Sequence, residues 1–232
     1  MFGILGTCLN LDIEVVDAFN PYANKKIINT LNSTILSEKT DISPGAIGCW
    51  LSHRELWSRI VEENIKSALI FEDDVDLASG FNEKLSSVMS QLSSKNVYWD
   101  ILYVGHCYQR TSLQEPIITN PVIVQASSSP VCMHAYGLSF GGAKKLLSKI
   151  TKFKKPIDQQ VSDLSNIRKI NAYSINPAIA KQGAFSGDTN INLDPEFRQG
   201  NKILTDYSIQ KCIKQIKAEK SFFLSPKNII LS

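Results

Sequence analysis

Long hydrophobic runs are missing from this 232-residue chain; no apolar stretch approaches the ~20 residues that cross a bilayer. The opening MFGILGTCLN has no basic flank and is too short for a secretory signal. Cysteine motifs are missing as well. Cys8, Cys49, Cys107, Cys132 and Cys212 are dispersed, with no C-x-x-C pair, and His53, His106 and His134 show no metal-ligand spacing with them. That pattern predicts reduced thiols rather than a disulfide frame or a zinc site. There is no internal repeat, low-complexity segment or linker, so one domain spanning 1–232 is expected. Its 43% hydrophobic and 20% charged residues exclude disordered and fibrous classes.

Charge is present but lopsided. Residues 1–100 carry 8 basic and 14 acidic side chains, net −6, whereas residues 101–232 carry 17 and 8, net +9. The basic half holds a lysine cluster, KKLLSKITKFKK (144–155), and a lysine-rich tail. It reads as a solvated surface or as attraction to an anionic partner, such as a membrane or a phosphorylated ligand. No aromatic-interleaved or groove-reading motif accompanies the lysines, so nucleic acid is not an expected partner.

Strand and helix patterns alternate along the chain. LDIEVVDAF (11–19) reads as a strand. A helix follows from Pro44 to about Asn64, capped by Ser43, with an apolar stripe that includes Cys49, Leu56, Trp57 and Ile60. SALIF (67–71), DILYVG (100–105), CMHAYGLSF (132–140) and INAYSI (170–175) read as strands. Phe81 to Leu92, GGAKKLLSKI (141–150), PIDQQVSDL (156–164) and TDYSIQKCIKQIKAEK (205–220) read as helices. The alternation predicts an α/β domain with a mostly parallel central sheet flanked by helices.

The chemically loaded stretch is ALIFEDDV (68–75), in which Glu72, Asp73 and Asp74 follow an apolar strand. Adjacent carboxylates repel, and each is costly to bring near a core. In open α/β sheets ligands bind beyond the carboxyl ends of strands. Alternation lets Glu72 and Asp74 face one way and Asp73 the other. Two carboxylates aimed into a crevice suit Mg²⁺ or Mn²⁺, whose remaining ligands commonly come from phosphate. A solvated acidic loop is the plainer alternative.

GAIGCWLSHRELWSRIVEENIKSALIFEDDV resembles the central signature of glycosyltransferase family 25, which includes lipo-oligosaccharide and collagen galactosyltransferases. WDILYVG (99–105), HAYGLSFGGAKKLL (134–147), PID (156–158) and QGAFSGD (182–188) follow in the family's order. The likeness covers a core of about residues 10–190, leaving a basic C-terminal helix and tail over about 203–232. It implies a GT-A-like fold and inverting transfer of a hexose, galactose above all, from a UDP-sugar to a glycan or hydroxylated acceptor, as in lipopolysaccharide biosynthesis. By position, Glu72 and Asp74 would hold Mn²⁺ (or Mg²⁺) against the diphosphate, with Asp73 on ribose or metal. Asp158 is the candidate base for the acceptor hydroxyl, or else a helix N-cap. His53 and Arg54 are donor-site candidates; the alternatives are a core histidine and a surface ion pair. His134, Tyr136, Gln182, Ser186 and Asp188 are cleft or acceptor candidates.

The family's opening strand and its arginines have no clear counterpart. Leu9-Asn10-Leu11-Asp12 looks like the motif, but no arginines follow. The first βα unit is therefore expected to be absent or cut short, which would bare a sheet edge. A catalytically inactive or truncated glycan- or nucleotide-binding relative is the second reading. A haloacid-dehalogenase-type phosphatase, suggested by Asp74-Val75-Asp76, is the remote one. The expected location is cytoplasmic or peripheral to a membrane through the basic half, or the secretory pathway if an N-terminal segment is missing.

Overall fold

The computed structural model describes residues 12–22, 43–110, 114–182 and 229–231. In chain order these form β1 (Glu14–Val16), α1 (Pro44–Glu62), β2 (Ser67–Phe71), β3 (Val75–Leu77), α2 (Phe81–Ser94), β4 (Ile101–Gly105) and β5 (Ile123–Ala126). Then come β6 (Ala135–Ser139), α3 (Phe140–Lys149), α4 (Ile157–Asn166), β7 (Ala172–Asn176), β8 (Ala180–Gln182) and β9 (Ile229–Leu231). Helix α1 starts as its sequence dictates. Ser43 Oγ accepts the Ala46 N–H at 3.2 Å, and Pro44 sits in the first turn, where its missing N–H leaves no bond unmade. Expected features over 1–11 and 205–220 lie outside the described residues.

The α/β expectation holds, but the sheet is mixed. Its order is β1-β9-β2-β6-β4-β7-β5, with β3 and β8 forming a separate antiparallel pair. Strands β1, β9, β2, β4 and β7 run one way, while β6 and β5 run the other. Because β6 lies between β2 and β4, both of those pairings are antiparallel, as is β5 on β7. The expectation of a mostly parallel sheet is corrected accordingly: the alternation of patterns marks where strands lie, while their direction and pairing are settled by which strand inserts where. Strand β9 pairs with β1 and meets β2 at Phe71, so the edge of β2 that a shortened sheet would bare is partly covered.

Two apolar layers enclose the sheet. On one face Ile47, Trp50, Leu56, Trp57 and Ile60 of α1 pack with Ile101, Tyr103, Tyr136 and Leu138, together with α3 and α4. On the other, Phe81, Val88 and Leu92 of α2 pack with Leu102, Val104 and Ala135. Strand β4 is buried on both faces, alternate residues feeding alternate layers. Helix α3 lies close to β4: a Cβ on Gly142 would come within 2.2 Å of the Asp100 carbonyl oxygen. Gly142 N–H donates to Ser139 Oγ at 2.9 Å, so the glycines serve close packing and a cap. Part of the lysine cluster is paired internally. Lys145 Nζ reaches buried Asp100 Oδ2 at 2.7 Å, and Lys155 reaches Asp163 at 2.5 Å. No helix among the described residues is long and apolar enough to cross a membrane.

Candidate active site

The co-directional strands β2, β4 and β7 end on one edge, and the polar residues gather just beyond them. Glu72 to Asp74 follow β2, His106 and Cys107 follow β4, and Pro177 follows β7. The antiparallel β6 brings Cys132 and His134 to the same edge, because its first residue, Ala135, faces Phe71 and Gly105. Glu72 N–H donates to the His134 carbonyl at 2.9 Å, extending the β2–β6 ladder by one bond.

The three carboxylates do not share one environment. Glu72 turns toward α1, where its Oε1 lies 3.4 Å from His53 Nε2. His53 Nδ1 lies 2.9 Å from the Tyr136 hydroxyl, which also accepts the Trp57 indole N–H at 3.0 Å. His53, Tyr136 and Trp57 are fully buried, whereas 29% of the Glu72 side chain is exposed. Burial opposes charging of the His53 ring, but Tyr136, Cys49 and Glu72 around it outweigh that and hold its pKa well above the imidazole value. Burial likewise opposes ionisation of Glu72, and the hydrogen bond and charge of His53 reverse it, leaving the carboxyl below its ordinary value. Both directions reflect mutual attraction between the ring and the carboxyl. His53 is thus a core histidine that touches the first carboxylate.

Asp73 is exposed. Asp74 is half-buried: its Oδ2 accepts the Gln182 Nε2–H at 2.7 Å, while its Oδ1 is buried with no hydrogen-bond partner among the described residues. Burial, with Glu72 and Asp73 nearby, pushes its pKa up to about 6 against the pull of the Gln182 bond. An orphaned buried carboxylate oxygen is expensive unless something fills its lone pairs. A hard divalent cation would satisfy that oxygen, and the acidic neighbours suit its charge.

A disulfide joins Cys107 to Cys132. This corrects the expectation of reduced thiols; their sequence separation of 25 hid a contact made only when β4 and β6 pair. Cys132 N–H donates to Asp158 Oδ2 at 3.1 Å, and Gln159 N–H donates to Asp158 Oδ1 at 2.8 Å. Cys107 Sγ lies 3.9 Å from Gln182 Oε1. Asp158, the disulfide, Gln182 and Asp74 therefore form one continuous line of contacts along the edge.

The other expected residues separate. Arg54 leaves the edge: its guanidinium stacks 4.7 Å over Trp50 and donates to the Ile150 carbonyl at the end of α3. His134 and Tyr136 are buried rather than lining an open cleft. Ser186 and Asp188 lie outside the described residues. Sequence reasoning missed two features. Gly105 is required by contact, since a Cβ there would meet His134 Nε2 at 2.5 Å and the Ala180 carbonyl oxygen at 2.7 Å. Asn176 Oδ1 accepts from Gln109 Nε2 at 2.9 Å and lies 3.2 Å from His106 Nε2. The glycine ending an apolar strand was a usable signal for the first; the second is purely tertiary.

The model for "Glycosyltransferase family 25 (LPS biosynthesis protein)" matches residues 5–161, which include every element from β1 to α3 and the acidic stretch. The chain belongs to glycosyltransferase family 25. Among its relatives, "Probable inactive glycosyltransferase 25 family member 3" of Bos taurus is 27% identical over 203 residues, covering 79% of this chain and 34% of that protein. "Procollagen galactosyltransferase 1" of Danio rerio is 27% identical over 199 residues, covering 77% and 32%. "Procollagen galactosyltransferase 2" of Homo sapiens is 24% identical over 172 residues, covering 70% and 27%. The chain thus spans about a third of the length of these relatives. Family membership sets aside the dehalogenase-type phosphatase, and Val75-Asp76 belong to β3 rather than to a loop directly after β2.

Proposed function

We propose that this family 25 domain transfers a hexose, galactose first, from a UDP-sugar to a hydroxyl of a glycan or hydroxylated peptide, with inversion. The observation that carries the reading is the orphaned, buried Asp74 Oδ1 beyond the end of β2, flanked by exposed Asp73 and held by Gln182. Relatives named procollagen galactosyltransferases support the sugar and the acceptor class.

Asp74 and Asp73 are the residues to hold Mn²⁺ or Mg²⁺, because Glu72 is drawn toward α1 and His53. Such an ion would neutralise charge on the departing diphosphate. Gln182 fixes the Asp74 rotamer. His53, through Tyr136 and Trp57, fixes Glu72 and offsets part of the negative charge beside it. Asp158 takes the proton of the acceptor hydroxyl as the new glycosidic bond forms and the bond to the diphosphate breaks. Two backbone N–H groups orient it and leave lone pairs for that proton. The disulfide supports work in an oxidising compartment, the secretory pathway rather than the cytoplasm.

Two observations favour the second reading, an inactive relative: Glu72 is drawn onto His53, and several relatives carry names that call them inactive. Calorimetric titration of UDP and UDP-galactose, with Mn²⁺ and with EDTA, separates the two. Mn²⁺-dependent binding that Asp74→Asn abolishes supports the transferase. Absence of binding by folded protein supports the inactive relative.

A further inference from the structure

We propose that Cys49, His53 and Glu72 form a binding site for a thiophilic divalent cation, Zn²⁺ by its donor set, separate from the hard-oxygen position at Asp74. The site stands whether or not the chain transfers sugar. Cys49 and His53 are four residues apart on α1, hence neighbours on one helix face. Glu72 enters opposite them from the end of β2. One ligand atom from each lies within 4.8 Å of the other two.

The distance between the histidine and the carboxylate suits an ion. His53 Nε2 and Glu72 Oε1 are 3.4 Å apart, long beside the ~2.9 Å typical of an N–H···O bond. Two ligands each ~2.0–2.1 Å from one tetrahedral zinc stand roughly 3.3–3.4 Å apart. The second nitrogen of His53 is already held by Tyr136, which Trp57 fixes in turn. An outer hydrogen bond of this kind orients a ligating imidazole. A sulfur–nitrogen–oxygen set selects zinc over magnesium or manganese. Three protein ligands leave a fourth position, and the partly exposed Glu72 places it toward the edge where the acidic stretch lies. Cys49 is also a free thiol in a chain whose Cys107 and Cys132 are oxidised to a disulfide, as a metal-held cysteine would be.

Cobalt(II) is the probe, because a thiolate ligand gives it a near-ultraviolet charge-transfer band. Chelator-stripped protein is titrated with Co²⁺ as wild type, Cys49→Ser, Glu72→Gln and Asp74→Asn. The site predicts one equivalent bound with a thiolate band that Zn²⁺ erases. Cys49→Ser removes the band, Glu72→Gln weakens Co²⁺ binding at least tenfold, and Asp74→Asn leaves both intact. Near-ultraviolet circular dichroism checks that each variant is folded; should Cys49→Ser misfold, the Glu72→Gln affinity decides. A missing band, a band that survives Cys49→Ser, or unchanged affinity in Glu72→Gln overturns the proposal. Erasure of the band by equimolar Mn²⁺ would merge the two sites and overturn it as well.

Discussion

Tyr103 and Tyr136 face each other in register across β4 and β6, both fully buried in the same apolar layer, yet their hydroxyls should respond oppositely to removal. The Tyr136 hydroxyl lies 2.9 Å from His53 Nδ1 and accepts from Trp57 Nε1 at 3.0 Å. Tyr136→Phe leaves both nitrogens buried and unpaired, and each such group costs about 1–3 kcal/mol. A total near 3 kcal/mol is expected, a fall in Tm of roughly 6–12 °C for a chain of this size. The Tyr103 hydroxyl has no partner among the described residues. Tyr103→Phe removes a polar group that gains nothing from burial, so stability should hold or rise by about 1 kcal/mol. Urea denaturation of both variants reads the difference, with unchanged m-values confirming a comparable unfolding transition. Equal losses for the two, or a Tyr136→Phe cost below about 0.5 kcal/mol, would refute the network that is held to fix His53 and Glu72.

Asp74 supplies a pH test in metal-free protein. Its folded pKa, about 6, lies above the unfolded value of roughly 3.9, so the carboxyl costs nothing at pH 3.5 and destabilises the fold increasingly as pH rises to about 6. Asp74→Asn should therefore stabilise at pH 7.5, by about 1–2 kcal/mol after allowance for solvent screening, and not at pH 3.5; a pH-independent difference would show that burial is not the cause. Asp100 joins the starts of β4 and β7 to α3, accepting from Lys145 and, at 2.7 Å, from Asn171 N–H. Asp100→Ala should cost about 2–3 kcal/mol in thermal denaturation, the lysine being partly solvated already. Replacing Cys107 and Cys132 by alanine opens a loop of 25 residues and should cost about 3 kcal/mol on chain-entropy grounds; mass spectrometry of the wild type confirms the bond.

Local signals carried much of this architecture in plain sight. Ser43-Pro44 and the stripe through Leu56, Trp57 and Ile60 mark α1, and the apolar runs mark β2 and β4. The acidic stretch was legible as the site because carboxylates directly after a buried strand are costly without a purpose. Partnerships between distant segments were not legible. Nothing local says that β6 lies antiparallel between β2 and β4, that β3 pairs with β8, or that Cys107 meets Cys132. The same ignorance hid the division of labour among the acids. Glu72 faces α1 because His53 waits there, and Asp74 is held by Gln182, 108 residues later. The i,i+4 spacing of Cys49 and His53 was visible; its meaning required Glu72 to arrive from another element.

Donor turnover decides between a working transferase and an inactive relative. UDP release from UDP-galactose and from UDP-glucose is measured with Mn²⁺ present, with and without a hydroxylysine-containing peptide or a glycan acceptor, for wild type, Asp74→Asn and Asp158→Asn. Mn²⁺-dependent release by the wild type is expected, with loss in Asp74→Asn and loss of the acceptor-stimulated part alone in Asp158→Asn. Equal release by wild type and Asp74→Asn, or none by a folded wild type with either acceptor, would contradict transferase function.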